Sequence, residues 1–411
     1  MTVFYKAGMY FYILFIRITS LFNHKAKLFI RGRKNWKKKL KSQIDKDANY
    51  LWFHCASLGE FEQGRPVIEE IRNRFPEYKI VLTFFSPSGF EIRKNYAGAD
   101  IVSYLPVDTK RNAREFLEII SPQKAFFIKY EFWYFFISEL KKQNIPLYIL
   151  SAIFRQDQQF FKNTPWGKWY RKMLFMFEHL FIQNETSAQL LKTIGLSNFS
   201  VSGDTRFDRV FAIAGAAKEI PVVEKFRDNH TLIVAGSTWK PDEELLSEFI
   251  NHSRDIKFII APHEVSVSNI NRIVQLLKKP AITYSSLNNS NIEQSDVLII
   301  DSIGLLSSLY QYGDIAYIGG GFGVGIHNIL EAATFGMPIV FGPNFNKFKE
   351  AVDLSSRGGA FPVTNYDELK RIFNRLIDEN NFRKEASETS KKYVTENVGS
   401  TEFIIKKVFN N

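Results

Sequence analysis

Ten apolar runs of strand length, each followed by an amphipathic stretch, constrain this chain more than any other feature. Five lie in the first half, at 51–57 (LWFHCAS), 79–85 (KIVLTFF), 124–130 (KAFFIKY), 146–152 (PLYILSA) and 179–184 (HLFIQN). Five more lie in the second half, at 231–237 (TLIVAGS), 257–263 (KFIIAPH), 296–301 (DVLIID), 315–321 (IAYIGGG) and 338–343 (PIVFGP). Strands alternating with helices build a parallel sheet covered on both faces. The pattern predicts an α/β protein of two tandem, doubly wound, Rossmann-like domains with an interdomain cleft, and 411 residues suit two cores better than one. Strand periodicity lapses between 205 and 229, where Pro221 interrupts it. The expected segments are 1–41, 42–215 and 216–411.

Segment 1–41 is set apart by charge. The chain carries a formal +11, and residues 1–41 hold eleven of its 54 Lys and Arg and no Asp or Glu; the remaining 43 bases balance 43 acids. A neutral body argues against a nucleic-acid partner, for which the basic charge would be spread over the fold. Ahead of most of the charge lies GMYFYILFIRITSLF, Gly8 to Phe22, too short for a spanning helix and interrupted by Arg17. Aromatic and aliphatic side chains at the headgroup boundary, followed by lysines drawn to anionic lipid, predict monotopic membrane association. The alternatives are a signal peptide or true span, and a helix packed on the protein with a solvated basic tail. Cys55 is the single cysteine and the seven His are scattered, so no intramolecular disulfide framework or Cys-based zinc site is expected, and neither a metal nor a cofactor is called for.

In doubly wound sheets ligands bind beyond the carboxyl ends of strands, so the loops there carry the candidate chemistry. In HCASLGEFEQG, Glu60 near a helix start either complements the helix dipole or serves as a general base. In FFIKYEFWYFF, Lys129 and Glu131 form a local ion pair or face a site. In VSGDTRFDR, Arg206 between Asp204 and Asp208 is a salt-bridged hinge or a cation for a phosphate. GGGFGVGIHNILEAATFGMPIVFGP, Gly319 to Pro343, is neither a GxGxxG fingerprint nor a P-loop. It does combine a strand, a glycine loop and a helix expected from about Asn328, whose free N–H groups suit a phosphate, with Glu331 one turn in as a ribose acceptor.

Taken in order, HCASLGE, YEFW, SGDTRFD, GST, APHE, DSIG and the glycine-rich stretch resemble the 3-deoxy-D-manno-octulosonic acid (Kdo) transferase family of lipopolysaccharide synthesis. The resemblance implies the GT-B fold and an inverting glycosyltransferase that moves Kdo from CMP-Kdo to a lipid A precursor without a metal, at the cytoplasmic face of the inner membrane. By position it implies Glu60 as general base, Glu131 and Arg206 as transition-state stabilisers, and Pro262, His263, Ile303, Gly304, Leu305, Asn328, Ile329, Leu330 and Glu331 as nucleotide contacts. The chain departs from the family pattern at Lys129, where a glutamate is expected, at Tyr134 for a proline, at Ala261-Pro262-His263 for P-R-H, and at Leu305 for a glutamate. A UDP-sugar glycosyltransferase or epimerase of similar architecture, or a non-catalytic membrane-tethered binding protein, is the alternative.

Overall fold

The computed structural model describes residues 1–287 and 292–409. They divide into two compact units, residues 1–208 with 399–409, and residues 209–398. In the first, β1 (Asn49–Cys55), β2 (Tyr78–Phe84), β3 (Ile101–Tyr104), β4 (Pro122–Ile128), β5 (Leu147–Ala152), β6 (His179–Ile182) and β7 (Phe199–Val201) form a parallel sheet in the order β3-β2-β1-β4-β5-β6-β7. In the second, β8 (Thr231–Thr238), β9 (Ile256–Pro262), β10 (Ala281–Thr283), β11 (Val297–Ile299), β12 (Ile315–Ile318), β13 (Ile339–Phe341) and β14 (Ala360–Pro362) form another, in the order β10-β11-β9-β8-β12-β13-β14. Strand order reverses between β1 and β4, and between β8 and β12. The loops leaving those four strands therefore flank the position where such sheets take ligands.

Central strands buried on both faces read as unbroken apolar runs. Along β1, Trp52 joins the core layer of Phe116, Phe127 and Phe136, while Leu51, Phe53 and Cys55 join the opposite layer with Phe126 and Ile128. The four strands without such a run, β3, β7, β10 and β14, are the four sheet edges. Edge strands are short and need no continuous apolar sequence. The apolar runs also outlast the ladders: β1 stops at Cys55, β4 at Ile128 and β12 at Ile318. The residues just beyond those stops build loops at the strand ends instead of extending the sheet.

The last helix, Ser400–Phe409, is expected from its place in the chain to belong to the second domain. It packs on the first, where Ile404, Ile405 and Val408 share a core layer with Ile71 of the helix Leu58–Arg74. Asp208 caps it, accepting from the backbone of Gly399 (2.5 Å) and Thr401 (2.7 Å) and from the Thr401 hydroxyl (2.8 Å).

Segment 1–41 is not a detached tail. In the helix Thr2–Thr19, Tyr5 donates to the buried Asp108 at 2.6 Å and packs against Tyr134, Phe135 and Trp169. Asp108 also accepts from the backbone N–H of Phe135 and Phe136, both at 3.1 Å, capping the helix Tyr134–Lys142. Burial raises the Asp108 carboxyl to about 6. Arg33, counted among the basic residues offered to lipid, is buried instead. Its guanidinium donates to the carbonyls of Leu105 (2.8 Å), Phe29 (3.1 Å) and Phe85 (2.7 Å) and lies over the Phe29 ring. Burial lowers its pKa to about 9, still above neutrality, so it remains a charged clamp. The outer face keeps the predicted character: Phe4, Phe11, Phe15 and Ile18 are exposed at helical spacing, and Phe22 is exposed in the turn that follows. No helix among the described residues is long and apolar enough to cross a membrane.

Candidate active site

Glu60 and Glu131 sit on the loops that leave the two switch-point strands of the first sheet. Beyond β1 the chain turns at Ser57 into the helix Leu58–Arg74, which places Glu60 in its first turn. That helix lies close on the sheet because residue 64 is glycine, where a Cβ would come 3.0 Å from Ile128 Cδ1. Glu60 Oε2 accepts the Ala56 N–H at 2.5 Å, folding the carboxylate back over the strand end. Burial, and then the negative charge of Glu131, raises its pKa to about 8, against the pull of the Ala56 and Ser57 N–H groups and the Lys129 ammonium. Two carboxylates close enough to repel divide their protons unequally.

Beyond β4 the backbone enters the left-handed region at Lys129, φ 65°, and on the neighbouring strand Ser151 does so at φ 52°. Non-glycine residues held there cost about 1–3 kcal/mol each and cluster at functional sites. The turn delivers Glu131 into a buried position, where Oε2 accepts from Trp133 Nε1 at 2.6 Å and lies 2.9 Å from His54 Nε2. The Trp133 ring leans on Phe85 at 4.3 Å, the residue whose carbonyl Arg33 holds. His54 and Trp133, which contact Glu131, lie within HCASLGE and YEFW but are not among the expected site residues. The available signal was a histidine inside a run otherwise apolar enough to be fully buried.

Arg206 is paired with Asp204, through Nε at 3.0 Å and Nη2 at 2.9 Å. Burial would raise the Asp204 carboxyl, but Arg206 and Gln63 hold it below the ordinary carboxylate value. Gln63, one turn after Glu60, donates to Asp204 at 3.2 Å, and its carbonyl accepts from Thr205 at 2.5 Å. Arg206 is thus tied, through Asp204 and Gln63, to the helix that carries Glu60.

In the second unit the expected nucleotide segments meet around residues 327–331. His263, just past β9, stacks on Trp239 (4.4 Å) and on His327 (4.7 Å), and Trp239 Nε1 donates to His327 Nε2 at 2.9 Å. Burial and the neighbouring His263 lower the His327 pKa. Glu331 accepts from Asn328 Nδ2 (3.0 Å) and from Ser307 (2.7 Å), which lies in the short helix Leu306–Leu309 just after the Ile303-Gly304-Leu305 turn. Ile303 and Gly304 are exposed. Gly304 and Leu305 line a cavity of about 1060 Å³ together with Lys218, Lys225 and Tyr284.

Two expectations about the glycine stretch change. The helix begins at Leu330, not near Asn328, and spans only five residues; Asn328 Oδ1 already takes the Leu330 N–H at 3.1 Å. It offers little of a phosphate-binding N-terminus. The first three glycines serve packing: a Cβ at Gly319 would strike the Ser237 carbonyl, and one at Gly321 would come 2.6 Å from Gly342 N. Asp242 fixes the loop, accepting from Gly320 N (2.8 Å) and Tyr317 Oη (2.8 Å). Gly323 alone is both exposed and roomy, with nothing nearer its Cβ than Gly320 O at 3.5 Å.

Residues 33–209, which hold the carboxylate pair and Arg206, match the family model of 3-deoxy-D-manno-octulosonic-acid transferase (kdotransferase). Over these residues the chain is similar to the Kdo transferase family. The chain is 28% identical over 360 residues to the 3-deoxy-D-manno-octulosonic acid transferase of Rickettsia bellii, covering 84% of both proteins. It is 27% identical over 337 residues to the transferase of the same name from Aquifex aeolicus, covering 80% of this chain and 86% of that one. Among solved structures, UDP-GlcNAc 2-epimerase from Neisseria meningitidis superposes with a TM-score of 0.62 at 16% identity, over 88% of this chain and 100% of that chain. Acinetobacter baumannii MurG gives 0.56 at 10% identity, over 89% and 100%. These likenesses concern the fold alone: Kdo transferase relatives are glycosyltransferases, and the two Rossmann-like sheets are those of the GT-B class.

Proposed function

We propose that the protein transfers Kdo from CMP-Kdo to a lipid A precursor in lipopolysaccharide synthesis, with inversion, while its N-terminal helix lies on the anionic inner-membrane surface at the cytoplasmic face. The observation that carries this reading is the carboxylate pair at the switch point: Glu60, raised to about 8, beside a buried Glu131 held by the Trp133 ring N–H and in contact with His54 Nε2. A sugar hydroxyl is a weak nucleophile near neutrality and needs a base within hydrogen-bond reach. Glu60 is assigned that role. Glu131 supplies fixed negative charge and orientation, and Arg206, steadied on one edge by Asp204, is assigned to charge developing on the departing phosphate. Pro262, His263, Ile303, Gly304, Leu305 and Asn328 to Glu331 are assigned to CMP, with Glu331 accepting from the ribose.

The decisive assay incubates the purified protein with CMP-Kdo and a tetraacylated lipid A precursor and weighs the products. A mass gain of Kdo supports the reading; transfer from a UDP-sugar instead overturns the donor assignment. For the nucleotide site, Glu331→Ala is expected to weaken CMP binding in calorimetry about 10- to 100-fold, the loss of a charge-assisted hydrogen bond. Gly323→Val should weaken it with little change in melting temperature, since its Cβ has room. Gly321→Val, which must displace the Gly342 backbone, should unfold the protein. Unaltered CMP affinity in both Glu331→Ala and Gly323→Val would place the nucleotide elsewhere.

A further inference from the structure

His54 is fully buried, yet both ring nitrogens are engaged. Nδ1 lies 2.9 Å from Thr83 Oγ1 and 3.1 Å from Thr83 O; Nε2 lies 2.9 Å from Glu131 Oε2. Trp52 Nε1 donates to Thr83 Oγ1 at 2.8 Å, which leaves the hydroxyl proton for His54 Nδ1 or for the Phe53 carbonyl at 3.2 Å. If it goes to Nδ1, the imidazole is neutral with its proton on Nε2. If it goes to Phe53, Nδ1–H donates to Thr83 and a neutral ring has no proton left on Nε2. The tautomer with its proton on Nε2 is the one that donates to Glu131 Oε2. Trp133 Nε1 donates to the same oxygen at 2.6 Å and also lies 3.1 Å from His54 Nε2, whereas Oε1 accepts no hydrogen bond among the described residues. Glu131 borders a cavity of about 500 Å³ walled by Tyr130, Phe132, Phe160 and Tyr170, with Asp157 beside them.

We propose that His54 is a positioning residue: through Nε2–H it fixes the Glu131 carboxylate, one oxygen anchored in the core and the other left for the substrate. The proposal rests on the transferase reading for Glu131. The charged and titratable groups around the pair are Glu60 and Glu62 on the helix Leu58–Arg74, Cys55 at the end of β1, and Lys129 and Tyr130 at the end of β4. Among them, Glu60 feels Glu131 directly. Removing the His54 donor lets Glu131 compete for the proton, so the repulsion that raises Glu60 falls and Glu60 titrates at lower pH. A residue that merely fills the core has no such effect.

The test compares His54→Asn, whose amide reaches the Thr83 side but not Glu131, with His54→Gln, whose amide nitrogen replaces Nε2. For the full-length protein, carbon-13 titration of the glutamate carboxyls measures the Glu60 midpoint without requiring turnover, and Kdo transfer supplies kcat and KM. His54→Asn should lower the midpoint and reduce kcat about 10- to 100-fold with little change in KM, the loss typical when an outer partner that orients a functional side chain is removed. His54→Gln should restore most of both, and His54→Asn should cost little more in a Glu131→Gln background. An unmoved midpoint in His54→Asn, or losses that multiply with Glu131→Gln, overturns the proposal. Should His54→Asn fail to fold, Thr83→Val serves, because losing the hydroxyl favours the Nδ1–H form; its midpoint must then fall, and an unchanged one overturns the proposal equally. A wild-type protein that shows the midpoint coupling but no Kdo transfer would instead refute the reaction and leave the positioning standing.

Discussion

Glu60→Gln protein is expected to bind CMP and melt close to the wild type, yet to transfer Kdo about 10²- to 10⁴-fold more slowly, the range lost when a positioned base is removed. The amide can still accept the Ala56 N–H, so the turn at Ser57 survives. If Glu60 only complemented the helix dipole, the change would cost roughly 0.3–1 kcal/mol of stability and spare turnover. Retention of more than about a tenth of the rate would contradict the base assignment. The pH dependence carries the same information with a definite sign. A base must be ionised, and a carboxyl raised to about 8 is only roughly one-tenth ionised at pH 7. In the wild type, kcat/KM, which reports the free enzyme, should therefore climb about tenfold per pH unit below that midpoint and level off above it. Glu131→Gln removes the like charge, so the midpoint should move to lower pH even as the rate falls. A pH-independent kcat/KM between pH 6 and 9 would show that Glu60 is not the group that titrates.

The second large effect is expected at the membrane. Replacing Phe11, Phe15 and Phe22 with Asn should release the protein from anionic liposomes by 100-fold or more in partition coefficient. These rings are 70%, 67% and 89% exposed, and each can contribute about 1 kcal/mol or more on leaving water. Substitution is a cleaner experiment than deleting the helix, since deletion would also remove Tyr5 from the Asp108 cap and the Trp169 stack. The fold should be untouched because these side chains face outward. Neutralising Lys38, Lys39 and Lys41 should weaken binding by about 1 kcal/mol each at low salt, with the difference fading as salt rises. Lys37 is less informative because it is paired with Glu115. Equal binding to neutral and anionic vesicles at every salt concentration would remove the electrostatic contribution.

Sequence alone determined the architecture, since a strand buried on both faces must be apolar throughout and its partner helices must show a 3.6-residue period. Those constraints are local and can be read from 51–57, 124–130 or 315–321 without knowing what packs against them. The order of the motifs similarly pointed to Glu60, Glu131 and Glu331. What escaped depends on contacts between distant segments. The edge strands β3, β7, β10 and β14 acquire their structure from a single neighbour, and the helix Ser400–Phe409 is assigned by the core layer it enters. Arg33 belongs to the count of basic residues by sequence but to the core by structure, because three carbonyls and an aromatic ring solvate it in place of water. The glycines at 319 and 321 signal close approach in either view; only the packing reveals that the approaching group is the protein's own backbone at Ser237 and Gly342. Tertiary structure likewise decided the protonation of the site. Glu60 and Glu131 are 71 positions apart in a chain where each alone would be an ordinary acid. Parallel strands β1 and β4 place them where burial and mutual repulsion raise one, while the Trp133 ring N–H and the His54 ring hold the other. Desolvation and repulsion depend on distance in space, which is why no spacing in the sequence could have assigned them.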